Sequence, residues 1–365
     1  MTELDALLEE GRQQGVYSHA RAVVRLNGQT VFDGGPAPTT ARFDLASVTK
    51  VMATTALLLR LVRDKAVSLD QPVRRWLPRC AADVSLADLA CHRSGLAAWR
   101  PFFADVTRTD PGVYELPRRP EPTLRAAIRA RVVEQVESEV PERTVGAAAV
   151  YSDLGFILLG AVVEQVCGLA LDSAFRALVA DPLGLDASFR RISTSTIDPS
   201  TIDTGGVRPR APAPGQEGLW TWPAFPSRPG EVDDDNAWVM DGVAGHAGLF
   251  GTAPAVAAFG QAVLEGWLLA PERFRLDSAT PGSTRTIGFD TPSAEGASCG
   301  PRFGRAGPLG AIGHLGFTGT SVWIDFDRQL VVALLTNRVI FGRENLQIRA
   351  FRPRFHEAVL DALGL

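Results

Sequence analysis

Ser47-Val48-Thr49-Lys50-Val51-Met52-Ala53-Thr54-Thr55-Ala56-Leu57-Leu58-Leu59-Arg60-Leu61-Val62 is a run with almost no polar face, and it begins with a serine three residues before a lysine. Apolar residues at nearly every position predict a helix buried on most sides. A lysine at the start of such a helix needs a reason. The chain holds two lysines among 37 basic residues, so arginine stands wherever a fixed positive charge is enough. What lysine adds is the ability to lose a proton near neutral pH. In an S-x-x-K pair, residues i and i+3 share one helix face, which brings the amine within reach of the hydroxyl. The chemistry suggested is a serine nucleophile with a lysine beside it.

Around that helix the chain reads as an ordinary globular protein. Its 365 residues are 45% apolar, enough for a substantial core in one large domain or two. The net charge of −4 is spread without long runs of one sign, which predicts neither a nucleic-acid partner nor an anionic membrane surface. The acidic start, Met1 to Glu10, reads as an amphipathic helix and lacks the basic-then-apolar layout of a signal peptide. The longest apolar stretch, Val51 to Leu59, is interrupted by Thr54 and Thr55 and is too short to cross a bilayer. Cys80, Cys91, Cys167 and Cys299 show no C-x-x-C spacing and no paired histidines, so no zinc site or disulfide framework is expected. The expectation is a cytoplasmic protein with reduced thiols, no membrane association, no metal and no cofactor. Oligomeric state is not encoded legibly.

Alternating residues in His19 to Leu26, then Asn27-Gly28, then Gln29 to Asp33 predict an antiparallel hairpin with a type I′ turn. Helices are predicted over Val84 to Ala90, closed near Gly95, and over Leu124 to Val140. Others follow Tyr151-Ser152-Asp153 up to Gly168, span Asp172 to Val179, and run from Ala253 to about Leu268. His314 to Phe326 and Gln329 to Thr336 read as a second hairpin, and Asn345 to Leu363 as a terminal helix. Residues 194–235 are rich in Pro, Gly, Ser and Thr and predict a long surface loop, part of which packs inward because it carries Trp220 and Trp222. Strands at both ends around a mostly helical middle predict an α+β fold. A mainly antiparallel sheet, flanked by helices and built from residues 1–75 and 245–365, would hold an inserted all-helical domain at 76–244.

Three motifs in order, S-x-x-K at Ser47, Tyr151-Ser152-Asp153 and His314-Leu315-Gly316, resemble those of the penicillin-recognising serine hydrolases. That family includes class C β-lactamases, DD-peptidases, esterases and D-aminopeptidases, and its pattern is S-x-x-K, Y-x-N, then K-T-G or H-T-G. Leu69-Asp70-Gln71-Pro72-Val73, Leu89 to Leu96, Pro182-Leu183-Gly184-Leu185 and Gly313 to Thr320 also look like its β-lactamase-related branch, so the likeness runs from about residue 40 to residue 340. The resemblance implies an active site between the sheet and the helical domain. It makes Ser47 the acylated residue and its backbone N–H, with that of Phe317, the oxyanion donors. Gly316 would allow the close approach this needs.

Lys50 and Tyr151 are the candidate bases. Neither works at its free pKa, and a nearby ammonium favours tyrosinate while burial favours neutral lysine. Tyr151 is one of three tyrosines beside eighteen phenylalanines, which singles out its hydroxyl. Asp153 replaces the family's asparagine. Its carboxylate would raise the lysine pKa and tilt the base role toward Tyr151, or it is only the N-cap of the helix that follows. His314 replaces the lysine of K-T-G, and neutral imidazole would grip a substrate carboxylate less firmly, which makes β-lactams poorer candidates. Arg338 is either a carboxylate contact or a solvated strand-end residue. His92 and His246 are structural hydrogen-bonders or substrate contacts. Thr318, in the Gly313 to Thr320 block, is a further candidate contact, and Asp235 and Asn236 stand at the cleft mouth or cap the loop. The reading is a serine hydrolase acting through an acyl-enzyme on a small ester or D-amino-acid-type amide. Alternatives are a β-lactamase, a peptidoglycan-fragment carboxypeptidase, or a catalytically quiet binding or assembly module.

Overall fold

The structure, a computed structural model, describes residues 2–109, 122–193, 198–208, 225–276, 280 and 283–365. Its sheet begins where the sequence turns most sharply. Asn27 and Gly28 take φ values of 49° and 78°, the left-handed pair that a type I′ turn requires, and they join β1 (Ala20–Leu26) to β2 (Gln29–Gly34). β1 then pairs antiparallel with β10 (Leu330–Thr336) from the far end of the chain, in register Ala20 opposite Thr336 through Leu26 opposite Leu330. β9 (Ser321–Asp325) and β8 (Ala311–Leu315) complete an antiparallel sheet of order β2-β1-β10-β9-β8. β3 (Phe43–Asp44), β7 (Leu249–Gly251) and β4 (Ala187–Phe189) form a second, smaller sheet, and β5 (Val207–Arg208) pairs with β6 (Phe225–Pro226). The segment between the two halves of the main sheet therefore contributes strands of its own as well as helices.

Both faces of the main sheet are buried, which is why its central strands read as continuous apolar runs. Ala22, Val24, Trp323, Val332 and Leu334 face α1 (Thr2–Gln13) and the terminal helix Ile348–Leu363. Their neighbours Val23, Val322, Ile324, Val331 and Ala333 face the other way and join one apolar core that continues through the helical layer. That layer contains α2 (Ala56–Arg63), α3 (Leu86–Ala90), α4 (Phe102–Thr109), α5 (Pro122–Glu137) and α6 (Asp153–Cys167). Ten consecutive residues of α6, Leu154 to Val163, are buried. After α6 come α7 (Leu171–Phe175), α8 (Asp181–Leu183), α9 (Asp235–Val239), α10 (Ala253–Leu264), α11 (Pro271–Leu276) and the terminal helix, α12. The architecture is a mixed α/β fold of antiparallel sheets flanked by helices.

Several sequence expectations are corrected. The stretch from His314 to Phe326 is not one strand: β8 ends at Leu315, and a turn through Phe317, Thr318 and Gly319 separates it from β9. His92 (φ 57°), not Gly95, follows α3 in the left-handed conformation. The C-terminal end of the Pro-rich segment packs inward, as expected of part of it, with Glu231, Val232, Asp233 and Asp235 all buried. Trp220 and Trp222 lie outside the described residues. Among the described residues, no single helix is long and apolar enough to cross a membrane.

α10 lies across β1, β9 and β10 and approaches them at Gly260, where a Cβ would meet Val331 Cγ1 at 2.5 Å. Gly260→Val is expected to destabilise the fold by about 1–3 kcal/mol through overpacking. A fall in the urea midpoint at unchanged slope, with Gly28→Ala as a turn-only comparison, checks this.

Candidate active site

The site is assembled from the turn before Ser47. Asp44, at the end of β3, accepts the Ala46 N–H through Oδ1 (2.8 Å) and the Asp233 N–H through Oδ2 (2.6 Å). This holds Ala46 at φ 46°, a costly conformation for a residue with a Cβ. Two hydroxyls from the segment after β8 pin the same turn: Thr318 donates to the Asp44 carbonyl (2.7 Å) and Thr320 to the Leu45 carbonyl (3.0 Å). Gly316 permits that contact, because a Cβ there would lie 2.6 Å from the Leu45 oxygen. From Leu45 to Lys50 the chain winds in tight i to i+3 turns, then in a π-helical turn (Lys50–Thr55) that runs into α2. Side chains three residues apart eclipse in such turns, and Lys50 Nζ donates to Ser47 Oγ at 3.0 Å.

Lys50 is fully buried. Its ammonium also donates to the His246 carbonyl (3.0 Å) and pairs with Asp153 at 2.7 Å, at an angle poor for a hydrogen bond. His246 is held in turn by Asp234, the N-cap of α9, at 2.9 Å. Its turn can abut α6 only because Gly245 lacks a Cβ, which would collide with the Phe156 carbonyl. Burial acts to lower the Lys50 pKa, but Asp153 and Tyr151 outweigh it and the pKa is raised. Tyr151 stands beside Lys50 and Ser47, with the Lys50 ammonium 4.9 Å from its ring centroid and its side chain lining the cleft with Ser47; burial raises its pKa, the nearby ammonium offsets part of the rise, and Asp153 adds to it. The resting site therefore holds a lysine ammonium, an aspartate and a neutral tyrosine. Ser152, not Asp153, caps α6, accepting the Gly155 N–H, so Asp153 is free to face Lys50.

Ser47, Tyr151, His314, Gly316, Phe317 and Arg338 line a cleft of about 480 Å³, with Lys50 and Asp153 behind its wall. Among the described residues, neither the Ser47 nor the Phe317 N–H donates to a protein acceptor, which leaves both for an oxyanion. The peptides beyond β8 are oriented by arginines gripping their carbonyls. Arg338 Nε donates to the Phe317 oxygen (2.7 Å), and Arg352 Nη2 to those of Gly316 and Thr320 (3.0 Å each). Burial lowers the Arg352 pKa to about 9, which leaves it cationic at neutral pH.

The structure brings Ser47, Lys50, Tyr151, Asp153, His314, Gly316 and Phe317 together and reassigns the other candidates. His92 is buried behind the tyrosine, 4.6 Å from it ring to ring, and accepts the Ser152 N–H at 3.0 Å. Thr318 stitches the nucleophile turn instead of facing substrate. Arg338 is 5% exposed, lines the cleft and grips carbonyls through Nε and Nη1, so it is not the solvated strand-end residue of the alternative reading. Asp235 and Asn236 are buried in α9, where Asn236 accepts the Phe103 N–H and donates to the Arg100 carbonyl. Arg352, Asp234 and Arg285 were missed. Arg285 lines the cleft 4.9 Å above the Tyr151 ring and 3.5 Å from Asp290. No local motif marks any of the three.

This fold and site define a serine hydrolase, and comparison with known proteins gives the same class. The Beta-lactamase family profile matches residues 4–351, so the chain belongs to that family. A protein of Escherichia coli (strain K12), named as a D-alanyl-D-alanine carboxypeptidase, is 26% identical over 325 residues, covering 83% of this chain and 70% of that one. The structure of EstCE1, a hydrolase with promiscuous acyltransferase activity, superposes with a TM-score of 0.66 at 21% identity, covering 96% of this chain and 98% of that one. A D-stereospecific amidohydrolase from Streptomyces sp. gives 0.62 at 19% identity, covering 93% and 98%.

Thr320→Val removes the hydroxyl that joins the segment after β8 to the Leu45 carbonyl and leaves that oxygen with the Val48 N–H alone, at about 0.5–1.5 kcal/mol. The expected result is a lower melting temperature together with a kcat reduced on the order of tenfold and a nearly unchanged KM. Thermal melts and steady-state kinetics on one preparation check both.

Proposed function

We propose that this hydrolase cleaves small esters or D-amino-acid-type amides through an acyl-enzyme on Ser47. The observation that carries the reading is the proton arrangement around the serine. The Lys50 ammonium already donates to Ser47 and to the His246 carbonyl and pairs with Asp153, so it has no lone pair to offer. The serine proton is left for Tyr151, the other candidate base, which lines the cleft beside Ser47 and interacts with it electrostatically. In the reactive form the tyrosine oxygen, stabilised by the ammonium beside it, takes that proton as Ser47 attacks the scissile carbonyl. The oxyanion that forms is met by the Ser47 and Phe317 amides. Tyr151 then returns the proton to the leaving alkoxide or amine, and the same oxygen removes a proton from the water that hydrolyses the acyl-enzyme. Tyrosinate beside lysine ammonium and tyrosine beside neutral lysine carry the same number of protons, so the titration belongs to the pair.

The relative named as a D-alanyl-D-alanine carboxypeptidase supports a second reading, in which the amide is the terminal D-amino-acid bond of a peptidoglycan fragment. The intact Ser47, Lys50 and Tyr151 speak against a quiet binding module, and the neutral His314 speaks against β-lactams.

The wild type is expected to hydrolyse p-nitrophenyl butyrate at about pH 8, and Ser47→Ala to lose roughly 10⁴-fold or more of that rate. A butyryl adduct on Ser47, trapped by acid quench and located by peptide mass spectrometry, identifies the nucleophile. Equal rates in the two proteins would sink the proposal.

Asp153 raises the pKa of both Lys50 and Tyr151. Removing its charge in Asp153→Asn lowers the pH at which the pair loses its first proton. The rising limb of kcat/KM against pH is therefore expected to move to lower pH. A limb that stays in place or moves upward would show that Asp153 is no part of the pair's electrostatics.

A further inference from the structure

His314 is 2% exposed and lines the cleft beside Ser47 and Tyr151, its ring 5.9 Å from that of the tyrosine. Its Nδ1 lies 2.8 Å from the Leu315 carbonyl oxygen. A carbonyl only accepts, so Nδ1 carries the proton. Burial, then the charges of Arg285 and Lys50, hold the imidazole pKa well below its ordinary value, so the ring is neutral and Nε2 is a bare lone pair. Among the described residues no group donates to that atom. Of the neighbouring donors, Lys50 is held in its ring of acceptors, Arg285 stands over the tyrosine ring with Asp290 3.5 Å away, and none of them, the Tyr151 hydroxyl included, meets Nε2 in hydrogen-bond geometry. Buried acceptors in native proteins rarely remain unmet.

We infer that the Nε2 lone pair of His314 receives a hydrogen bond from the substrate. It is then a specificity-determining group that selects acyl derivatives carrying an N–H or O–H close to the scissile carbonyl. The inference rests on the hydrolase reading above and names the substrate class for it. A carboxylate at this position would set lone pair against lone pair. An acylamino N–H, as in N-acylated amino-acid esters and amides, supplies the missing proton. The polarity is opposite to that of a lysine in the same place, which can only donate.

The test compares the p-nitrophenyl esters of N-acetyl-D-alanine and O-acetyl-D-lactate, which differ by N–H against O. The wild type is expected to prefer the N–H ester in kcat/KM on the order of ten- to a hundredfold, because the oxygen analogue leaves the buried acceptor unpaired. The ratio should collapse toward one in His314→Phe and be restored in His314→Gln, whose side-chain oxygen can again accept. Calorimetric binding of N-acetyl-D-alaninamide and O-acetyl-D-lactamide to Ser47→Ala reads the same preference without turnover. Equal values for the two esters, or equal affinities for the two amides, overturn the inference while leaving hydrolysis on Ser47 intact. A preference seen in binding, with no turnover of either ester or of p-nitrophenyl butyrate, would support the subsite and overturn the hydrolase reading.

Discussion

The buried Lys50 ammonium is the constraint around which the rest of the site is arranged. An ion removed from water carries a penalty of several kcal/mol, and only close charge and hydrogen-bond partners offset it. Those partners arrive from three separate parts of the chain: Ser47 in the preceding turn, Tyr151 and Asp153 at the start of α6, and the His246 carbonyl before β7. Removing one partner from a buried pair typically costs about 3–5 kcal/mol, so the charge fastens α6 and the His246 turn to the turn that carries Ser47. The close approach at Gly245 and the Asp234 contact to His246 follow from the need to bring a backbone carbonyl to that nitrogen.

A second, opposing element is strain. Ala46 is held left-handed immediately before Ser47, and the hydrogen bonds from Asp44, Thr318 and Thr320 that enforce it come from both sides of the cleft. The two threonines belong to the turn that carries Phe317. The Ser47 and Phe317 amides are thus set relative to one another by direct bonds between their own segments. Arg338 and Arg352 complete the arrangement by engaging the carbonyls of that turn, which leaves its free N–H toward the cleft. Preorganised amides of this kind need no reorganisation when negative charge develops.

What could be read from the sequence was local. Asn27-Gly28 and the alternation around it gave the hairpin, and the apolar run after Lys50 gave a buried lysine, because each depends on residues close together in the chain. The motif order brought Ser47, Tyr151 and His314 to one site through resemblance. The misassigned residues owe their roles to distant partners. Thr318 looks like a cleft-facing polar residue until the Asp44 carbonyl is placed beside it, and Arg338, which does line the cleft, shows its grip on the Phe317 carbonyl only in three dimensions. Asn236 looks like a loop cap until the Phe103 N–H is found against it. Arg352 sits within a terminal helix whose period marks only its apolar face. His92 illustrates a different limit: a non-glycine left-handed residue has no sequence signature, and its purpose, a ring against Tyr151, exists only in three dimensions.

Asp153 sets the electrostatic character of the site. With an uncharged amide in its place, lysine ammonium and tyrosinate would balance to zero; with aspartate, the balance is already reached at neutral tyrosine, and tyrosinate leaves a net negative charge in a buried place. The resting state is stabilised and the reactive state disfavoured, since burial and Asp153 both raise the tyrosine pKa. Arg285, 4.9 Å from the Tyr151 ring centroid, supplies positive charge beside the tyrosine, and the neutral His314 adds none. The cleft therefore sets an imidazole that accepts beside Ser47 and Tyr151, within a lining that also holds Arg285, Arg338, Arg349 and Arg352. In the proposed reading, His314 is the group in that lining that asks the substrate for a proton to share.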